Sequence, residues 1–247
     1  MNRSNIRRSV GSAILCAAAL GISVHAGRAL ADDPYPHAFP RPGTVKLFDN
    51  DRVTVWEVNW LKNVMQPIHQ HRFDMAGVYL RFGQIFVTRP NDPIPTDPKP
   101  GPVFEVPRPY YQPKGITHRE VAFGGPNDPE RLALMCDLKD YSPPPFEVKP
   151  GMLTAYPRQG AKDVLDNARV IEWDYTWKTH APVAMHVHDK DSIEIFFEGG
   201  TILTKMADGR EETKAVAFKD ARFIPRGQMD SEEAISGSPR AIIIELR

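Results

Sequence analysis

The chain of 247 residues carries 31 basic and 31 acidic residues, so its formal net charge is zero. Proteins that bind the nucleic-acid backbone are usually more basic, so the composition argues against a nucleic-acid partner. The 24 prolines and 17 glycines are too many for a helical bundle and favour short strands joined by turns.

The first 31 residues have the pattern of a secretory signal peptide. Three arginines within the first eight residues are followed by an apolar run over residues 10–24 and by the small residues of Ala29-Leu30-Ala31. The run is shorter than the roughly twenty residues that span a bilayer, which favours cleavage after Ala31 over a membrane anchor. We therefore expect a periplasmic or secreted protein with no membrane segment after cleavage. Arg7-Arg8 leaves the twin-arginine export route open.

Cleavage changes the charge and the cysteine content of the chain. It removes four arginines and Cys16 but no acidic residue, so 27 basic residues remain against 31 acidic ones. Cys136 is then the only cysteine, and the fold must hold without an internal disulfide. Because Cys136 lies in an apolar run over residues 132–138, we expect a buried thiol.

The rest of the chain is an internal duplication. At an offset of 117 residues, positions 38–83 align without a gap on positions 155–200, and 14 of these 46 positions are identical. Unrelated sequences would share about three, so the repeat predicts tandem domains at residues 32–145 and 146–247. The identical pairs include Arg41 and Arg158, Asn50 and Asn167, Arg52 and Arg169, Trp56 and Trp173, Trp60 and Trp177, and Asp74 and Asp191.

Farther along the chain the offset falls to 112 residues. Pro113-Lys114-Gly115 then aligns with Pro225-Arg226-Gly227, and His118 aligns with Asp230. The first copy therefore contains five extra residues. They fall in a proline-rich tract over residues 90–113, which predicts an ordered surface loop.

Each copy contains short β-patterned segments separated by Gly, Pro and Asp. The strongest of these are residues 52–60, 78–82, 132–138, 193–197, 217–224 and 241–246. Several short strands per copy predict an all-β sandwich or barrel. Residues 161–167 are predicted to form a single helical turn.

Both copies carry a His-X-His pair on a predicted strand. Because side chains alternate along a strand, His69 and His71 should point the same way, as should His186 and His188. Two imidazoles about 7 Å apart on one strand face can bind one metal ion. The alternative is that histidines with no ligand role were duplicated together.

These motifs resemble the pattern of the cupin superfamily, in which a His-X-His strand is followed by a Gly and a Pro-X-Gly-X-X-His turn. The first copy has His69-Gln70-His71, Gly83 and the turn at 113–118; the second has His186-Val187-His188, Gly200 and the turn at 225–230. The resemblance covers nearly all of the chain after residue 31. It implies two tandem jelly-roll barrels and a metal site.

The chain departs from the cupin pattern at one ligand. Cupins usually place a Glu five residues after the second His, where this chain has Ala76 and Ile193. Glu194 follows one residue late, and strand alternation predicts that it faces away from the barrel interior. The resemblance then leaves two metal-ligand sets, His69, His71 and His118 in the first copy and His186, His188 and Asp230 in the second. The second set is the weaker candidate, since bicupins often resemble one working and one degenerate half.

The two sets suit a divalent first-row transition metal: Fe, Zn, Cu, Ni or Mn. Within the cupins, three histidines resemble the site of the three-His thiol dioxygenases. Two histidines and a carboxylate make the facial triad of non-haem Fe(II) oxygenases.

The leading hypothesis is an exported metal-dependent enzyme that acts on a small molecule. Oxygenation or oxidative cleavage is the first expectation for its reaction, and isomerase or lyase chemistry is the second. A non-catalytic bicupin that binds a sugar or another small ligand, and a structural storage-type bicupin, are the alternatives. No residue is assigned a catalytic role, and the sequence is compatible with a monomer or a homo-oligomer.

The signal peptide leads to the first prediction. The exported protein is expected to begin at Asp32, because the small residues before it suit a signal peptidase. Intact mass spectrometry of the protein from its export compartment measures this directly. A mass that still includes residues 1–31 would show that the segment is not removed.

Overall fold

The structure, a computed structural model, describes residues 34–96, 99–141 and 143–247. The predicted signal peptide and Cys16 lie outside these residues. Within the described ranges the chain forms fifteen β-strands and no helix, and residues 35–247 form one compact unit. Nowhere in these ranges is there a helix long and apolar enough to cross a membrane.

Eight of these strands lie in the first copy of the repeat and seven in the second. The first copy contains β1 (Thr44–Asp49), β2 (Val53–Trp60), β3 (His69–Gln70), β4 (Asp74–Arg81), β5 (Ile85–Thr88), β6 (Arg108–Gln112), β7 (Thr117–Ala122) and β8 (Arg131–Leu138). The second contains β9 (Lys162–Asp166), β10 (Val170–Thr176), β11 (Val183–Val187), β12 (Ser192–Met206), β13 (Glu211–Val216), β14 (Ala221–Ile224) and β15 (Met229–Leu246).

Each half is a sandwich of antiparallel strands. In the first half one sheet has the order β1-β2-β8-β4-β6 and the other has the order β3-β7-β5. The second half repeats this arrangement, but its long strands β12 and β15 run through both layers and join them into one twisted sheet. Every strand pair in the described ranges joins strands of the same half. The predicted all-β fold of two tandem jelly rolls is confirmed, although neither half closes into a continuous barrel, and the boundary at residue 145 stays a prediction.

Three local predictions are wrong. Residues 161–167 form no helical turn, because Lys162–Asp166 pairs with β10 as an edge strand. The predicted loop over residues 90–113 ends early, since Arg108–Gln112 pairs with β4 at the edge of its sheet, where the Pro in this strand is tolerated. The strand predicted at 217–224 is confirmed only over its second half. Each error concerns a short edge strand, whose pairing depends on contacts distant in sequence.

One five-stranded layer in each half has apolar residues on both faces. In the first half this layer is β1-β2-β8-β4-β6, and in the second it consists of β9, β10, β15, β12 and β14. The indoles lie in the interior of each half, with Trp56 and Trp60 in one interior cluster and Trp177 in the other. A third cluster contains residues from both halves, such as Val53 and Ile244. The outer faces of the two layers therefore pack against each other. Cys136 lies there with no exposed surface, which confirms the expected buried thiol, and burial raises its pKa.

One carboxyl group lies in the apolar region between the halves. Glu172 on β10 has no exposed surface, and neither of its carboxyl oxygens has a hydrogen-bond partner among the described residues. Its repeat counterpart, Val55, is apolar and belongs to the cluster between the halves. Burial raises the pKa of Glu172 well above its ordinary value, so the folded chain holds it as the neutral acid.

Replacing Glu172 by methionine is expected to stabilise the fold by about 1–3 kcal/mol near neutral pH, because a buried carboxyl without partners is removed. The folded-state pKa is raised, so the ionisation part of this cost is absent below the unfolded-state pKa and grows as pH rises toward the folded-state value, whereas the cost of burying the neutral acid remains at every pH. Urea unfolding at about pH 4 and about pH 7.5 measures the difference. Glu57→Met is the control, since Glu57 lies at the surface with Lys219. An equal gain for Glu172→Met at both pH values would contradict this account.

Candidate metal centres

Strands β3 and β7 bring three imidazoles of the first half together. His69 lies opposite His118 in the strand register, and His71 follows on the same face as His69. The three ring centroids lie 4.7–5.2 Å apart. One nitrogen of each ring lies within 4.8 Å of the others. The structure thus places this predicted set around one point, and metal binding by it stays a prediction.

The histidines of this set are prepared as neutral ligands. The Nδ1 atom of His69 donates to the carbonyl of Pro67 at 2.9 Å, which leaves Nε2 as the acceptor, 3.3 Å from Arg41 Nη1. Burial lowers the pKa of His69 to about 4 and that of His71 to about 3. Both rings are therefore neutral at physiological pH, the state that metal coordination requires.

A carboxylate that the sequence analysis missed stands beside these imidazoles. Glu120 lies two residues after His118 on the same face of β7 and is 4% exposed. Its Oε2 atom is 2.7 Å from His118 Nε2 and 3.7 Å from His69 Nε2. Donor atoms about 2.1 Å from a shared ion lie about 3.0–3.4 Å from each other. The shorter separation here is a hydrogen bond from His118 and the longer one exceeds this range, so Glu120 would have to shift slightly to share an ion with the histidines.

Two side chains hold Glu120 in this position. Arg41 Nη2 lies 2.6 Å from Glu120 Oε1, and the indole N–H of Trp60 donates to the same oxygen at 2.8 Å. Burial alone would raise the pKa of Glu120, but the hydrogen bond from His118 and the charge of Arg41 outweigh it and hold that pKa below its usual range. The group is an ionised carboxylate whose Oε2 faces the histidines.

The alignment of the two copies could have indicated Glu120. At the offset of 112 residues it aligns with Glu232, so both copies carry a Glu two residues after the third ligand position. The cupin ligand position, Ala76, packs instead in the cluster between the halves. A carboxylate there would point away from the imidazoles.

Strands β11 and β15 bring the second predicted set together. His186 lies opposite Asp230 in the strand register, and both residues and His188 are 1–3% exposed. The Nε2 atoms of His186 and His188 lie 3.3 and 3.8 Å from the oxygens of Asp230. His186 Nδ1 donates to the carbonyl of Ala184 at 2.9 Å, as the equivalent histidine does in the first half. Asp230 therefore points toward the two imidazoles, and metal binding by this set stays a prediction.

The second set fits a cation as well. His186 Nε2 and Asp230 Oδ1 face each other, yet neither has a hydrogen-bond partner in the part of the chain that the structure describes. Gln228 donates to the other oxygen of Asp230 at 2.6 Å. Buried polar atoms left without partners are costly, and a divalent cation between them would satisfy both.

The orientation predicted for Glu194 is wrong. Its neighbour Ile193 packs in the cluster between the halves, whereas Phe196, on the same strand face as Glu194, packs in the interior of the second half. Glu194 is 1% exposed and pairs with Arg222, which also pairs with Glu232 at 2.9 Å. Burial raises the pKa of Glu194. The apolar residues of β12 suggested that their face was the interior of the second half. That face instead contacts the first half.

The Arg–Glu–Trp arrangement of the first site recurs in the second half. Arg158 Nη1 lies 3.0 Å from Glu232 Oε2, and the Trp177 indole donates to the same oxygen at 3.0 Å. Arg158 and Trp177 are the repeat counterparts of Arg41 and Trp60. Because Arg222 also pairs with its other oxygen, Glu232 is neutralised on both sides. The first site therefore offers three imidazoles with Glu120 bonded to one of them, and the second offers two imidazoles and Asp230.

A cavity borders each site. One of about 840 Å³ borders His186, and its charged lining residues are Arg158 and Lys178; none of the described residues that line it is acidic. One of about 540 Å³ borders His118 and contains both Arg89 and Asp92. Each cavity thus reaches one residue of its site.

Comparison with solved structures identifies the fold. The protein AerE from Microcystis aeruginosa aligns over 86% of this chain and 98% of its own, with a TM-score of 0.56 and 12% identity. The oxalate decarboxylase of Bacillus subtilis, described with Mn(II) centres, aligns over 82% of this chain and 71% of its own, with a TM-score of 0.51 and 13% identity. No family model and no curated protein matches the sequence. The chain has the fold of a bicupin, two tandem cupin domains.

Metal stoichiometry tests the two sets. His118→Ala is expected to remove about one metal equivalent, and Glu120→Gln, which keeps the size of the side chain, should weaken the first site about 10–100-fold. His188→Ala is expected to have a smaller effect, because its site has one imidazole fewer. Elemental analysis and competition with a chelator after one loading protocol measure these losses.

The control for these variants is His180→Ala, because the His180 side chain is 78% exposed and lies outside both sets. Its metal content should equal that of the unaltered protein. If His188→Ala lost the metal and His118→Ala kept it, the stronger site would lie in the second half.

Proposed function

We propose that the protein is an exported, metal-dependent bicupin enzyme that acts on a small molecule at its first metal site. The observation that carries the proposal is the convergence of three imidazoles, whose ligand nitrogens lie within 4.8 Å of one another, with the ionised Glu120 bonded to one of them. Neither a storage protein nor a sugar-binding barrel requires this combination of neutral nitrogens and a fixed carboxylate. The signal-peptide pattern of residues 1–31 supports export.

The residues around the site have separable roles in this proposal. His69, His71, His118 and Glu120 would hold the metal, and a bound first-row metal supplies Lewis-acid or redox chemistry. Pro67 orients one imidazole through its carbonyl. The Arg41 and Trp60 side chains fix one oxygen of Glu120, so that the other stays directed at the histidines.

Oxygenation or oxidative cleavage is the proposed reaction class, because histidine-rich sites of this kind suit metals that activate dioxygen. Lyase chemistry on a small carboxylate is the second candidate. The oxalate decarboxylase that shares this fold supports it.

Turnover separates the enzyme from the two non-catalytic alternatives. Metal-loaded protein is supplied with a panel of small carboxylates and thiols in air, and oxygen consumption, carbon dioxide release and product mass are measured. Glu120→Gln and His118→Ala are expected to lower turnover at least about 100-fold, since both alter the metal site, and His180→Ala should leave it unchanged.

Two outcomes would contradict the proposal. Full metal occupancy and tight ligand binding without turnover would identify a binding protein. Absence of metal from the protein as purified and after loading would favour a structural bicupin.

A further inference from the structure

Each half sends an arginine to an aspartate beside the metal site of the other half. Arg52 Nε of the first half lies 2.8 Å from Asp191 Oδ2 of the second. Arg169 Nε of the second half lies 2.9 Å from Asp74 Oδ2 of the first. Both arginines and both aspartates align at the offset of 117 residues, so the two ion pairs are equivalent and run in opposite directions, although only that of Arg52 has hydrogen-bond geometry at Nε.

The other oxygen of each aspartate holds the Pro-X-Gly turn of its own half. Asp74 Oδ1 accepts from the backbone N–H of Lys114 at 2.9 Å, and Asp191 Oδ1 accepts from that of Arg226 at 3.0 Å. Each turn leads within four residues to the third metal-site residue of its half. The aspartate therefore joins the crossing arginine to the backbone that positions that residue.

The same turns are bonded to the backbone of the second histidine in each site. Gly115 N–H donates to the carbonyl of His71 at 2.7 Å, and His71 N–H donates to that of Ile116 at 2.9 Å. The second half repeats both bonds at the same distances, from Gly227 to His188 and from His188 to Gln228. A displaced turn would therefore shift two of the metal-site residues.

The backbone of each arginine is fixed in its own half by an asparagine side chain. Asn50 Oδ1 accepts from the backbone N–H of Arg52 at 2.8 Å, and Asn167 Oδ1 accepts from that of Arg169 at 2.8 Å. The Arg52 and Asp191 side chains are 10% and 8% exposed, against 32% and 13% for the other pair. Breaking a more buried ion pair costs more, so the larger effect is expected at the second site.

We propose that Arg52 and Arg169 are positioning residues that act across the domain boundary. Arg169 sets the first metal-site turn, and Arg52 sets the second. The metal affinity of each site therefore depends on an arginine in the opposite half. Only the affinity part of this proposal rests on the proposed metal-dependent function. Ion pairs that merely held the halves together would, when broken, loosen both turns equally.

The test uses Arg52→Met and Arg169→Met in the full chain, because methionine keeps an unbranched stem and removes the charge. Hydrogen exchange of the Lys114 and Arg226 amides is followed by NMR in the protein as purified. Arg169→Met is expected to speed exchange at Lys114 about tenfold and to change Arg226 less than about twofold, and Arg52→Met should do the reverse. Each variant is the matched control for the other.

Metal titration of the same variants gives the second readout. Arg169→Met should weaken the first site about five- to tenfold and Arg52→Met the second, with the other site unchanged. If each variant speeds amide exchange only in the opposite half and the chain binds no metal, the proposed function is refuted and the positioning role of the two arginines stands.

The positioning role of the arginines is overturned if each variant loosens both turns, the turn of its own half, or neither turn. If Arg52→Met does not fold, Asp191→Asn tests the same link, since it keeps Oδ1 for the turn and weakens the ion pair. Faster exchange at Arg226 with Lys114 unchanged is then the supporting result. Any other pattern overturns the proposal.

Discussion

The fold depends on one constraint: each five-stranded layer buries both of its faces, one in its own half and one against the other half. Strand alternation then assigns neighbouring residues to different cores. Trp56 enters the interior of the first half, and Val53 and Val55 enter the contact between the halves. The same alternation directs Glu194 inward and leaves Glu172 in an apolar contact without partners.

This double burial accounts for what the sequence could and could not predict. The repeat and the strand patterns were sufficient to predict two all-β domains and the two His-X-His pairs. The resemblance to the cupin superfamily supplied the jelly-roll fold and the positions of His118 and Asp230. The direction of Glu194 was mispredicted because an apolar alternation does not say which of two cores it faces. Glu120 escaped notice because its role depends on pairing between β3 and β7 and on Arg41, far from it in sequence.

The repeat also explains how charge is distributed around the sites. Both halves use an arginine and a tryptophan to hold a buried glutamate, but only in the first half does that glutamate turn an oxygen to the imidazoles. In the second half Arg222 pairs with the corresponding oxygen of Glu232, and Asp230 provides the negative charge beside the imidazoles instead. One framework therefore yields two donor sets of different composition, which are expected to differ in affinity and in preferred metal.

Anomalous X-ray diffraction from crystals of the metal-loaded protein tests the central claim most directly. The account predicts a metal peak bonded to His69, His71 and His118 and to Oε2 of Glu120, with bond lengths of about 2.0–2.2 Å. Arg41 and Trp60 should remain on the other oxygen of Glu120. A peak without Glu120 among its ligands, or full loading with no peak at these four residues, would contradict it.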